Sequence, residues 1–224
     1  MAITHIFFGG IGTLVETSEL QFEAFNQALA NNNVDFHWER EAYIESLAGS
    51  GGQNRLAAIK LADGSTLSDE TIAKVHADKT QIYADTMREK GLALRDGASE
   101  LINKARENNI KLVWATTTKQ DNIDAFFDAV GEALNKEMFV KVTNKEYVTQ
   151  QKPEPEVYSK LLSELAIEPS SALAIEDSPS GVASALGAGI KTLAFAGEMT
   201  KGQTFDPSAE PINSLSDVLS HIAT

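Results

Sequence analysis

Four short apolar runs, each closed by a turn or by the start of a helical segment, constrain this chain more than any other feature. They are Ile3–Phe8, Lys111–Ala115, Ala172–Ile175 and Lys191–Phe195, with a weaker fifth at Met138–Val142. Runs this short and this continuously apolar fit strands buried on both faces of a sheet. Amphipathic segments alternate with them, at Glu100–Asn108, Asp121–Val130, Pro155–Ala166 and Gly181–Leu186. Strand and helix in alternation imply a parallel sheet with helices on both sides. The stretch from about Ser18 to Arg88 breaks the alternation and reads as successive helices: Glu19–Asn31, Glu39–Leu47, Asn54–Lys60 and Asp69–Glu89. A helical block between the first strand and the rest of the sheet is expected to cap the sheet's C-terminal edge, where open α/β sheets bind ligands. The expected organisation is a Rossmann-like α/β core, residues 1–16 and 92–224, with a helical cap at 17–91, closed by a surface helix over Asn213–Ala223. A chain of 224 residues is long enough for both parts. The Gly/Ser-rich 48–54 segment inside the cap reads equally as a functional turn or a helix connection.

A net charge of −13 argues against nucleic acid as a partner, since phosphate backbones are held by clustered Lys and Arg. With no cysteine, disulfides and thiolate chemistry are excluded. The apolar N-terminal stretch is too short to span a bilayer and follows no basic residues. It is expected to be a buried strand, and the chain cytoplasmic with no membrane partner.

The predicted strand ends carry the candidate chemistry. Strand one runs into Gly9-Gly10-Ile11-Gly12-Thr13-Leu14, the second ends at Thr116-Thr117-Thr118, Lys152-Pro153 precedes a helix, and the strand at 172 ends at Glu176-Asp177-Ser178. A hydroxyl and an ammonium can clamp phosphate oxygens, helped by backbone N–H groups at helix starts. Paired carboxylates suit a hard cation such as Mg²⁺. Alone, Thr116 reads as a strand-end cap, Lys152 as a surface lysine and Glu176-Asp177 as the cap of the next helix. Their order, and the sheet edge they share, point instead to a phosphoryl site. The histidines at 5, 37, 76 and 221 show no metal-ligand spacing, and Trp114 sits within an apolar strand, as a core residue would. Gly9–Gly12 does not continue as G-x-G-x-x-G, and residues 187–192 do not complete a P-loop.

Strand–GTL, helical block, strand–Thr, KPEPEVY and AIEDSPSGVASALGAG in this order resemble the haloacid dehalogenase superfamily of phosphatases with a helical cap. VDFHWE, GGQNR and HADKTQIY are similar to its CbbY-like branch, which acts on xylulose-1,5-bisphosphate and lies near β-phosphoglucomutase. The resemblance implies that Thr116, with Thr117 beside it, and Lys152 hold the phosphoryl group. It implies that Glu176 and Asp177 hold Mg²⁺ alongside the carbonyl of Ile11, and that Arg55 and Lys79 reach from the cap toward a distal phosphate.

The family's first motif, Asp-x-Asp-Gly-Thr-Leu, is not met. Its nucleophile and its acid/base fall on Gly9 and Ile11, and neither can attack phosphorus or move a proton. Losing a nucleophile from a cooperating unit costs on the order of 10⁴–10⁶ in rate. Glu16 reads as structural, and Ser18 and Gln21 stand where the branch carries Glu-x-x-His. No catalytic residue of the motif is retained. The expectation is a catalytically dead or severely impaired homologue that still binds inorganic phosphate or a small phosphorylated metabolite, with weakened Mg²⁺ affinity. The alternative is an active Mg²⁺-dependent sugar-phosphate phosphatase with a non-standard mechanism.

Overall fold

The computed structural model describes residues 2–47 and 51–222. Six strands, β1 (His5–Phe8), β2 (Lys111–Trp114), β3 (Phe139–Val142), β4 (Ala172–Glu176), β5 (Lys191–Ala194) and β6 (Glu210–Pro211), form one sheet. Its order is β3-β2-β1-β4-β5-β6, with every neighbouring pair parallel. The five predicted strands are present within a residue or two. The two-residue β6, too short to leave an apolar run, has no signature in the sequence.

Side chains alternate across β1. Ile6 and Phe8 enter one apolar layer, shared with Leu101, Ile123 and Phe126, while Phe7 enters the other, shared with Val157, Leu161 and Ala185. The first layer is covered by α6 (Ala98–Glu107) and α7 (Gln120–Val130), the second by α8 (Glu156–Glu164) and α9 (Pro179–Gly187). Trp114 lies in the first layer, its ring centroid 4.7 Å from that of Phe126.

Between β1 and α6 the chain forms a short turn of helix, α1 (Ile11–Leu14), and then α2 (Ser18–Asn31), α3 (Arg40–Ser46), α4 (Gly52–Ala57) and α5 (Asp69–Lys90). The last four are the expected helical insertion. They enclose their own apolar cluster around Phe25, Leu29, Trp38, Tyr43, Leu56 and Val75. Helix α5 starts on a Ser68 hydroxyl that accepts from the Thr71 N–H. Residues 48–50 of the Gly/Ser-rich segment lie outside the described residues. The predicted terminal helix is a 3₁₀ turn at Leu215–Val218 continuing into α10 (Leu219–Ile222). Among the described residues no helix is long and apolar enough to cross a membrane.

Candidate phosphate-binding cleft

Strand β1 is the point where the connectivity reverses, with β2 on one side and β4 on the other. Parallel sheets bind ligands at the carboxyl ends of strands at such a point. Phe8 lies opposite Trp114 and Ile175, so the residues just past these strands emerge side by side. Backbone bonds continue the alignment beyond the strands: Gly9 N–H donates to the Ile175 carbonyl at 3.0 Å, and Ala115 N–H to Phe8 at 2.8 Å. Register alone therefore brings the loops at 9–13, 116–118 and 176–178 together.

They open into a cleft of about 630 Å³, walled on the far side by the helical insertion. Thr116, Thr117, Lys152, Glu176 and Asp177 line it from the core, and Arg55 and Lys79 from the insertion. Ile11 lines it too, as a buried apolar side chain. All seven candidate site residues share one cavity.

At the core end the buried Lys152 ammonium pairs with Glu176 Oε1 at 2.5 Å, and the Tyr158 hydroxyl donates to the same oxygen at 2.5 Å. Burial and the nearby Glu176 charge hold Tyr158 protonated, well above the usual phenol range. Asp177 Oδ1 accepts from the Thr13 hydroxyl at 3.0 Å. Burial first, and the Glu176 charge second, push the Asp177 carboxyl up to about 6, against the Thr13 hydrogen bond, Lys152 and Arg95. Thr116 is buried, and its hydroxyl accepts weakly from the Thr118 N–H at 3.3 Å.

At the other end the buried Lys79 ammonium has no carboxylate partner among the described residues. It donates to Gln21 Oε1 at 3.3 Å and lies 4.8 Å and 4.9 Å from the ring centroids of Phe25 and Tyr83. Burial, with Arg55 and Lys119 nearby, lowers its pKa to about 7. Arg55 stacks over Phe25 and Tyr43 at 5.5 Å and 5.3 Å. His76 also lines the cleft, and burial followed by Lys79, Lys119, Lys145 and Arg55 lowers it to about 4.

Sequence reasoning passed over Lys119, Lys145, Tyr158 and Arg95, and read His76 as a structural or solvent-facing histidine where the structure puts it in the cleft wall. Lys119 and Lys145 follow β2 and β3 by five and three residues, so carrying the strand-end rule five residues past each strand would have found both. Tyr158 closes the KPEPEVY run, and its role depends on Glu176 being near it in space. Arg95 donates to the carbonyls of Gly12, Phe195 and Ala196 at 2.8, 3.1 and 2.7 Å, fixing the first loop to the end of β5. Glu16 spends its carboxylate on the Ser18 and Glu198 N–H groups, at 2.8 and 2.6 Å.

Of the described residues lining the cleft, Arg55, Lys79, Lys119, Lys145 and Lys152 are cationic and only Glu176 and Asp177 acidic. That local excess stands in a chain of net charge −13. Magnesium is usually held by one or two carboxylates together with phosphate oxygens. Here Glu176 is committed to Lys152 and Tyr158, and among the described residues no three His, Cys, Asp or Glu side chains converge. Asp177, which takes a hydrogen bond from Thr13 on one oxygen, is the carboxylate left to meet such an ion.

The haloacid dehalogenase-like hydrolase family model matches residues 12–195. The chain belongs to this family. The match starts at Gly12, one residue beyond Ile11, so the two departed positions lie just outside it. As a haloacid dehalogenase-like protein it is 35% identical to protein CbbY of Rhodobacter capsulatus, over 96% of this chain and 95% of that one. Protein CbbY of Cereibacter sphaeroides is 34% identical over 96% of this chain and 94% of its own. The crystal structure of CbbY from Rhodobacter sphaeroides in complex with phosphate superposes with a TM-score of 0.87 at 34% identity, covering 98% of this chain and 99% of that one. A mutant of the same protein in complex with xylulose-(1,5)bisphosphate gives 0.87 at 34% identity, over 99% and 100%.

Proposed function

We propose that this chain is a non-catalytic or severely impaired member of the family, one that binds inorganic phosphate or a small phosphorylated metabolite. The observation that carries the reading is a cleft whose cations outnumber its carboxylates, at a loop with no side chain at Gly9 and a buried apolar one at Ile11. Phosphoryl transfer needs a nucleophile and a proton donor at the reacting centre. Neither position can supply one. Binding needs only positive charge and donors held in place, and those remain. The complexes of the CbbY relative with phosphate and with a sugar bisphosphate support the same ligand class here. In this reading the helical insertion, residues 17–91, is the cap, and Lys79 and Arg55 are the anion's anchors on its side.

Calorimetric titration of the full chain with inorganic phosphate in EDTA tests the reading. Binding that weakens in Lys79→Met supports it. Absence of binding at millimolar phosphate, in a protein that melts cooperatively, contradicts it.

A further inference from the structure

Gly9 does more than lack a nucleophile. A Cβ built on Gly9 would lie 2.1 Å from both Cδ and Oε2 of Glu176, and 2.5 Å from Oε1. A Cβ on Gly181 would likewise lie 2.1 Å from Oε2. The Glu176 carboxylate thus sits in a slot between two glycines, where no other residue type leaves it room. In that slot it is 1% exposed and holds both Lys152 and the Tyr158 hydroxyl on one oxygen. The Lys152 charge is met by a carboxylate of the same chain.

We infer that Glu176 fills the volume vacated at position 9 and acts as an internal ligand of Lys152, closing the core end of the cleft to anions. This rests on the phosphate-binding reading and says which half of the cleft is free. Lys79, Arg55, Lys119 and Lys145 accept an incoming anion directly. Lys152 accepts one only after Glu176 leaves the slot, and a site competent for part of the time binds more weakly by that fraction.

The test is metal-free titration with inorganic phosphate of the full chain, the Gly9→Ala variant and the Glu176→Gln variant, with thermal unfolding as the control for folding. Gly9→Ala keeps every charge, and its methyl group would drive the carboxylate out of the slot. Glu176→Gln removes the ion pair while keeping the side chain's size. If the slot is closed nine-tenths of the time, opening it tightens phosphate binding about tenfold. Both variants are expected to show that gain. A folded Gly9→Ala that binds phosphate no more tightly than the unaltered chain overturns the inference, as does a folded Glu176→Gln without the gain should Gly9→Ala fail to fold. Incubation of the unaltered chain with a sugar phosphate that leaves a phosphoryl group on Glu176 also overturns it, since Glu176 would then be a nucleophile. Binding by the unaltered chain without any gain removes this inference and leaves the proposed function standing. Absence of binding in all three removes both.

Discussion

The loops after β1 and β4 leave the same sheet edge from adjacent strands, yet one carries no acidic side chain and the other carries two. At Gly9–Thr13 the positions that would carry catalytic aspartates are glycine and isoleucine. At Glu176–Gly181 both carboxylates are present, and Ser178 still caps α9 by accepting from the Gly181 N–H at 3.2 Å. The frame of the altered loop is nonetheless intact. Thr13 still donates to Asp177, and a Cβ on Gly12 would lie 2.1 Å from Asp177 Oδ2, so any larger residue there would displace that carboxylate. Arg95 still holds the Gly12 carbonyl. The contacts that shape the loop therefore do not depend on an acidic side chain at position 9 or 11.

The largest effect should come from reversing the difference. Gly9→Asp/Ile11→Asp is expected to raise Mg²⁺-dependent phosphate release from sugar phosphates by about 10³-fold or more, given what losing a nucleophile costs. A folded double variant that stays inactive would mean the difference extends beyond the first loop. Next in size, Lys152→Met leaves the Glu176 carboxylate without its cation and should destabilise the fold in urea or thermal unfolding, by about 1–1.5 kcal/mol where the carboxylate can leave its slot and about 3–5 kcal/mol where it cannot. A loss under about 1 kcal/mol would show that the pair is not closed in solution.

On the insertion side, Lys79→Met should weaken phosphate binding about 10- to 100-fold, the range for a lost charge-assisted hydrogen bond. Smaller again is the pH dependence. With Lys79 near 7, the free protein loses that charge as pH rises, and anion binding must then take up a proton. Sulfate, whose own charge is constant over this range, should bind up to about tenfold more weakly per unit above pH 7. Stability moves the other way. The unfolded lysine titrates near 10.5, so from 7 to 10.5 the unfolded chain holds the extra proton, and the penalty for burying Lys79 shrinks as pH rises. Flat sulfate affinity from pH 6 to 9 would place Lys79 outside the site.

Much of this was legible in the sequence, for identifiable reasons. Strands buried on both faces leave short apolar runs, so β1 to β5 could be read. The insertion was visible because helical periodicity replaced alternation between Ser18 and Arg88. The candidate residues at strand ends could be gathered because parallel register puts those ends together. What could not be read depends on distances between separate elements. Nothing in the spacing of Gly9, Lys152, Tyr158 and Glu176 says that the glutamate lies where residue 9 would extend, or that it holds the lysine. The aromatic bed under Lys79 likewise comes from α2 and α5 crossing in space. The short α1 was hidden because its four residues, Ile11–Leu14, read as a loop.

The most direct test of the central claim is phosphate release from a panel of sugar phosphates with Mg²⁺ at high protein concentration. No release is expected from the unaltered chain under conditions in which it binds phosphate. Turnover by the unaltered chain that disappears in Lys152→Ala would contradict the claim, and would mean that this cleft carries a nucleophile other than the residue at position 9.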